Sequence, residues 1–332
     1  MQQDTNYKKT IVFAPLNWGL GHASRIVPLI NKYKTEGWKI ILASDGNALQ
    51  FLKNEFPNER ILKIPSKPLK YSKSTLLLAH LQKLLPTFLR NIKTDSIFIK
   101  NLSQKESIDL IISDNRYGFK HPTIKSILIT HQTQLAFPPI MKWSKKPVQN
   151  KLNHWINSFD ECWIMDDNKH NLAGELSHTS NIKIPYKYIG LQSRLEPKKH
   201  NLNIDFLVIL SGLEPHRSIL EKKIIQLFKD SKKHVVIIGG QFQNKSTPSD
   251  IEYLSFANTN ELNRLINQSN CIISRSGFST IMDLIKLNKK AILIPTPGQT
   301  EQEYLAKFHA SNSNFHIAEN TISSISEKIR NC

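Results

Sequence analysis

The stretch Cys271-Ile272-Ile273-Ser274-Arg275-Ser276-Gly277-Phe278-Ser279-Thr280-Ile281-Met282-Asp283 decides the fold. Its apolar start reads as a buried strand, its small residues as a turn, and Ser279 to Leu287 as a helix. The free N–H groups and positive dipole end of a helix start suit a phosphate. One turn further on, Asp283 could accept hydrogen bonds from sugar hydroxyls. A second strand, Ala291 to Ile294, runs into Pro295-Thr296-Pro297-Gly298-Gln299-Thr300-Glu301-Gln302-Glu303, a Pro/Gly loop that delivers Gln302 and Glu303. Polar groups at the carboxyl ends of parallel strands are where open α/β sheets bind ligands. Taken alone, a Ser-x-Gly turn reads more simply as a helix cap, so the weight falls on what accompanies it.

Outward from that stretch, short β-rich runs alternate with helical ones. Strands are expected at Thr10–Ala14, Lys39–Ala43, Arg60–Ile64, Asp109–Ser113, Ser126–Thr130 and Cys162–Met165, then at Asp205–Leu210, His234–Ile238, Ile251–Phe256, Cys271–Ser274 and Ala291–Ile294. Helices fit between them, among them Ala23–Thr35, Thr75–Phe88, Ser218–Lys229 and Thr300–Ala310. Strands apolar on both faces imply parallel sheets covered by helices. The pattern restarts after the polar stretch Ser193 to Asn201, which reads as a linker. The expected fold is α/β: two doubly wound Rossmann-like domains, 1–190 and 191–332, facing across a cleft.

A chain of 332 residues has room for about two such domains. No apolar run reaches the length of a membrane span. The polar start, Met1 to Thr10, gives no sign of a secretory leader. Cys162, Cys271 and Cys332 are widely spaced and fit neither a disulfide framework nor a zinc site, so a cytoplasmic protein is expected. The net charge of +18 is uneven: residues 1–195 carry 28 Lys/Arg against 14 Asp/Glu. Such a half points to an anionic partner, or else reflects a Lys- and Asn-rich composition. No helix-turn-helix, RNA-recognition or zinc signature supports nucleic acid.

Three polar clusters fall at the carboxyl edge of the first sheet. Gly19-Leu20-Gly21-His22-Ala23-Ser24-Arg25 follows the first strand; its glycines allow a tight turn, and His22 is placed to act as a general base. Ser113-Asp114-Asn115-Arg116 and His131-Gln132-Thr133-Gln134 end the fourth and fifth strands. Three such ends on one edge suggest a site. In the second domain, Ser211-Gly212-Leu213-Glu214 closes the first strand in the same way. Asp166-Asp167 is adjacent rather than spaced and reads as a cap, so neither a metal nor any other cofactor is expected. The leucine-rich run through Leu77, Leu81, Leu84, Leu85 and Phe88, ringed by Lys70, Lys73, Lys83, Arg90 and Lys93, reads either as an interfacial helix for an anionic membrane or as a crossover helix packed on its sheet.

These residues resemble the GT-B glycosyltransferases of family 28, typified by the MurG-like N-acetylglucosaminyltransferases of lipid-linked peptidoglycan precursors. The resemblance runs over most of the chain and is strongest from about residue 185. It implies that Arg194, in Gly190-Leu191-Gln192-Ser193-Arg194, approaches the phosphates of a UDP-sugar, and that Ser211 and Gly212 stand in the family's Gly-Gly-Ser-Gln loop, with Leu213 in place of its serine. It also implies that Phe256 lies at the uracil, Ser276 and Gly277 at the phosphates, Asp283 at the ribose, and Gln302 with Glu303 at the sugar hydroxyls, where the family has Gln-Gln. On the acceptor side His131 matches a His-Glu-Gln-Asn motif, with Gly19, Gly21, Arg25 and Arg116 nearby. The Gly19–Arg25 loop is closer to that of the nucleotide-sugar hydrolases of pseudaminic acid synthesis, whose histidine is taken to activate water. The expectation is an inverting transferase that moves a hexose or N-acetylhexosamine from a UDP-sugar to a glycan or lipid-linked acceptor, with His22 or Asp114 as base. It would work without metal, in the cytoplasm or on the inner membrane face, in cell-envelope glycan synthesis. The alternative is a nucleotide-sugar hydrolase on the same fold.

Overall fold

The computed structural model describes residues 9–68, 77–137, 144–212, 214–241 and 251–332, except the side chains of residues 77–84. Thr75, Leu213 and the side chains of Leu77, Leu81 and Leu84 therefore lie outside the described residues. Two parallel sheets carry the chain. The first contains β1 (Thr10–Pro15), β2 (Lys39–Ser44), β3 (Arg60–Lys63), β4 (Leu110–Asp114), β5 (Lys125–Thr130), β6 (Glu161–Ile164) and β7 (Tyr186–Tyr188). Its spatial order is β3-β2-β1-β4-β5-β6-β7. The second contains β8 (Ile204–Ile209), β9 (Val235–Ile238), β10 (Glu252–Leu254), β11 (Ser269–Ser274), β12 (Lys290–Leu293) and β13 (Phe315–Ile317), in the order β10-β9-β8-β11-β12-β13. Strand order reverses between β1 and β4 in one sheet and between β8 and β11 in the other. A doubly wound sheet opens its ligand crevice at that point.

Helices cover both faces. In the first half these are α1 (Gly21–Arg25), α2 (Val27–Thr35), α3 (Gly46–Glu55), α4 (Leu77–Ser103) and α5 (Lys145–Ile156). In the second they are α6 (His216–Phe228), α7 (Thr259–Gln268), α8 (Phe278–Lys286), α9 (Thr300–Phe308) and α10 (Ile322–Asn331). Alternate residues of β1 enter different cores: Ile11 and Phe13 one, Val12 and Ala14 another. The Ile11 cluster continues into the second half through Leu207, Ile272 and Leu293, so one apolar core runs through both halves.

Three features depart from the sequence reading. The helix expected to stop at Phe88 runs through Pro86 to Ser103. Asp95, Ile99 and Leu102, three or four residues apart, are buried along one side of it and hold it to the sheet. The short strands β7 and β13 and the terminal α10 were not expected from the pattern. Cys271 and Cys332 form a disulfide, with Cα atoms 6.5 Å apart and a sequence separation of 61. Docking of α10 through the buried Ile325 returns the chain end to the start of β11, a closure that cysteine spacing does not reveal. Cys162 is free and buried. Asp166, expected as a helix cap, braces a turn instead: its carboxylate accepts from the N–H groups of Asp167, Leu172 and Ala173, and the short 3-10 helix that follows, Gly174–Ser177, has Ala173 at its cap position with no side-chain hydrogen bond.

Candidate active site

Pro15 of β1 lies opposite Asp114 of β4, and Leu16 N–H donates to the Asp114 carbonyl at 3.0 Å. The loop leaving β1 is thereby folded over the end of β4. Gly19 takes a positive φ of 73°, and the chain enters α1 at Gly21. This single turn puts His22 and Arg25 on Asp114. Arg25 Nε donates to Asp114 Oδ2 at 2.7 Å, and its NH2 donates to Oδ1. Such two-pronged contact orients a carboxylate as well as neutralising it. His22 Nδ1 lies 3.0 Å from Asp114 Oδ1. A carboxylate at Nδ1 fixes the proton there and leaves the Nε2 lone pair outward.

The charges suit a base. Burial alone would raise the Asp114 pKa, but Arg25 and His22 outweigh it and hold the carboxyl well below its usual range. Burial, and then the Arg25 charge, lower the His22 pKa; Asp114 only partly offsets them. His22 is therefore neutral near pH 7 and ready to accept a proton.

His131, 3% exposed, sits just past β5. Its Nδ1 is 2.8 Å from Arg25 NH1, and its Nε2 is 2.8 Å from Glu301 Oε1 on α9. Its ring stacks on Phe278 of α8, centroids 4.1 Å apart. Ser279 Oγ donates to the Gly21 carbonyl at 3.0 Å. A Cβ on Gly21 would stand 3.0 Å from that hydroxyl oxygen, so glycine lets the halves meet here. Sequence reasoning missed Glu301 and Phe278, although each adjoins a residue it singled out.

Opposite the His22 loop is the turn that opens α8. Ser276 Oγ donates to the Gln302 carbonyl at 2.8 Å. Gly277 caps the helix with φ −77°, and an added Cβ there would meet nothing within 4 Å. Neither backbone strain nor crowding by the chain itself requires glycine at this position. Behind the turn Arg275 is completely buried. It donates to the carbonyls of His216, Ile294 and Pro295 and to Asn320 Oδ1, all neutral acceptors. Burial lowers its pKa to about 10, still far above neutrality, so it remains a cation beneath the helix start. Ser211 and Gly212, the latter at φ 95°, follow β8 on the other side of the switch point.

The remaining candidates lie elsewhere. Arg194 donates to Thr259 Oγ1 at 2.6 Å, lies 3.6 Å from Glu55 Oε2 and covers the Phe51 ring at 4.7 Å. Phe256 meets the same Phe51 edge-on, so Arg194 and Phe256 tie α3 to the second half; a diphosphate role for Arg194 requires it to leave these partners. Asp283 accepts from Ser193 Oγ, and burial raises its pKa to about 6 against the pull of Ser193, Arg194 and Lys286. Gln302 and Glu303 brace their own loop: Gln302 Oε1 accepts from Thr296 N–H and Glu303 Oε1 from Gly298 N–H. Arg116, expected on the acceptor side, is 2% exposed and ion-paired with Asp45 and with Asp95 at 2.7 Å. Both guanidinium ends being taken, it braces α3, α4 and the end of β4. Among the described residues no group of three His, Cys, Asp or Glu side chains could hold a metal ion.

Residues 209–332 match the family described as the glycosyltransferase family 28 C-terminal domain. Solved glycosyltransferases superpose on nearly the whole chain. The glycotransferase of kitacinnamycin is 12% identical with a TM-score of 0.64, over 97% of this chain and 90% of that one. The spinosyn rhamnosyltransferase SpnG, complexed with thymidine diphosphate, is 10% identical with a TM-score of 0.61, over 97% and 91%. Acinetobacter baumannii MurG is 13% identical with a TM-score of 0.53, over 98% and 90%. The fold is GT-B. No curated protein matches the chain. A family 28 C-terminal domain on a GT-B fold supports a glycosyltransferase.

Proposed function

We propose that this GT-B protein is an inverting glycosyltransferase with a UDP-sugar donor. Residues 191–332 hold the nucleotide and residues 1–190 the acceptor, a glycan or lipid-linked hydroxyl. One observation carries the reading: a His22–Asp114 dyad at the switch point of one sheet faces a helix start at that of the other, with open space at Gly277 and a buried cation behind it. His22 Nε2 takes the acceptor proton while the acceptor oxygen attacks the anomeric carbon. The diphosphate departs on the opposite side, toward the N–H groups of Ser276-Gly277 and the field of Arg275. Attack opposite the leaving group inverts the anomeric centre. Replacement of the acceptor by water gives the second reading, a nucleotide-sugar hydrolase, favoured by the same dyad and by the loop at Gly19–Arg25.

Calorimetry with UDP and thymidine diphosphate tests the donor half. UDP should bind without added metal and in EDTA, and Asp283→Ala should weaken it by about 1–3 kcal/mol, the scale of one lost buried hydrogen-bond partner. Binding of neither nucleotide would contradict the assignment.

For the acceptor we propose a lipid-linked one, in cell-envelope glycan synthesis at the inner membrane face. Among the described residues no helix is long and apolar enough to cross a membrane. Of the run read from the sequence, Phe88 packs against Tyr117 and Trp155 instead of facing outward. Leu85, Leu89 and Ile97 of α4 are exposed at 52%, 43% and 51%, with Arg90, Lys93 and Lys100 among them. Anionic vesicles should bind this face, each cation near the surface contributing about 1 kcal/mol at low salt. Replacing the three apolar residues with Ser should abolish co-sedimentation and leave the thermal melt unchanged; undiminished vesicle binding would refute the interfacial role.

A further inference from the structure

We propose that Glu301 is a positioning residue: through His131 it latches the two halves together and completes the charge set of the His22–Asp114 dyad only when the cleft is shut. The inference rests on His22 as the base. Glu301 lies in the first turn of α9, in the donor half; His131 and Arg25 belong to the acceptor half. A chain of hydrogen bonds crosses the cleft from Glu301 Oε1 to His131 Nε2, from His131 Nδ1 to Arg25 NH1, and from Arg25 to Asp114, which holds His22.

The directions of these bonds follow from the groups. Arginine can only donate, so His131 Nδ1 accepts and Nε2 carries the hydrogen given to Glu301. The ring plane is set by Phe278, also from the donor half. Opening the cleft removes both the acceptor and the stacking partner of His131, and leaves Arg25 NH1 facing a ring free to turn. Ser276 Oγ donates to the carbonyl of Gln302, the residue after Glu301, so the helix start offered to the diphosphate and the latch form one hydrogen-bonded unit.

Charge balance gives the latch a chemical consequence. His22 is faced by Arg25 from its own turn, Asp114 from β4, His131 from beyond β5 and Glu301 from α9; burial would raise the Glu301 pKa, but the hydrogen bond from His131 and the charge of Arg25 hold it ionised. With both histidines neutral, Asp114 and Arg25 cancel and Glu301 leaves one negative charge. The proton that His22 takes from the acceptor neutralises it. In an open cleft that charge is withdrawn, and Arg25 opposes protonation with less compensation.

The test is histidine titration by NMR of the 15N-labelled full chain, with His22 assigned by His22→Gln. In Glu301→Gln the amide oxygen still accepts from His131 but the charge is gone. The His22 titration should fall by about half a unit to one unit, as for one charge removed nearby, with the His131 tautomer kept. The acid limb of kcat should shift with it, and the kcat plateau should drop about 3- to 10-fold at constant donor KM, following the weaker base. In Glu301→Ala, His131 should lose its fixed tautomer. His131→Gln, read at His22 in the same way, gives a second arm should Glu301→Gln fail to fold. A His22 titration unchanged in these variants of an active enzyme overturns the inference. A shifted titration in a protein that turns over no nucleotide sugar upholds the latch and overturns the transferase reading instead.

Discussion

His22→Ala should lower turnover by about 10²–10⁴-fold, the usual contribution of a general base, and leave nucleotide affinity little changed. The asymmetry follows from the proposed roles: His22 lies on α1 in the first half, while the groups proposed to meet the diphosphate lie at the start of α8 in the second. In the wild type, activity should rise with pH through a group titrating below the ordinary histidine value of 6.5, because burial and Arg25 lower the His22 pKa and only its neutral form accepts a proton. Asp114→Asn should remove much of the same rate: an amide at this place no longer fixes the Nδ1–H tautomer and leaves Arg25 with less countercharge. Steady-state kinetics beside calorimetry check both. Near-normal turnover in folded His22→Ala would make the histidine structural.

Arg116→Met should destabilise the protein by about 3–5 kcal/mol, the scale for leaving buried charges unpaired. Arg116 holds Asp45 and Asp95 at once, on elements that meet nowhere else through charged groups among the described residues. The loss should depend on pH. Burial raises the Asp95 pKa from 3.8 to about 6 even with Arg116 opposing it. An acid whose folded pKa is raised contributes stability below its unfolded pKa and loses it as pH rises through the folded value. Without Arg116 that loss deepens, so urea melts should show the variant closer to wild type at pH 4 than at pH 7. Adding Asp45→Asn and Asp95→Asn should recover much of the stability. A single substitution as stable as wild type at pH 7 would refute the bracing role.

The two-sheet fold was legible because both-face burial leaves nearly unbroken apolar runs, as in Ile111-Ile112 and Ile272-Ile273, each ended by polar residues. What the sequence hid has physical reasons. β7 and β13 are three-residue edge strands, too short to show a period. The expected helix already crossed Pro86 but ended too early, at Phe88; beyond it the buried Asp95, Ile99 and Leu102 hold one side of α4 to the sheet and carry it to Ser103. The disulfide depends on where α10 docks. At the site, His22, Arg25, Asp114 and His131 converge as their place on one sheet edge suggested. The partner across the cleft was illegible: Glu301 lies 170 residues from His131, and only packing of the halves pairs them. Arg116 looked like a site residue because it follows Asp114, but backbone direction alone does not say which way a side chain turns. Here Asn115, at φ 55°, redirects the chain and Arg116 points into the interior.

Mass spectrometry of the products from a panel of UDP-sugars, with and without a lipid-linked or glycan hydroxyl, tests the central claim most directly. The account predicts release of UDP that depends on the acceptor, together with an acceptor heavier by one sugar whose anomeric configuration, read by NMR, is inverted, and formation of that product slowed by about 10²–10⁴-fold in His22→Ala. Free sugar formed equally well without any acceptor would contradict it and establish the hydrolase.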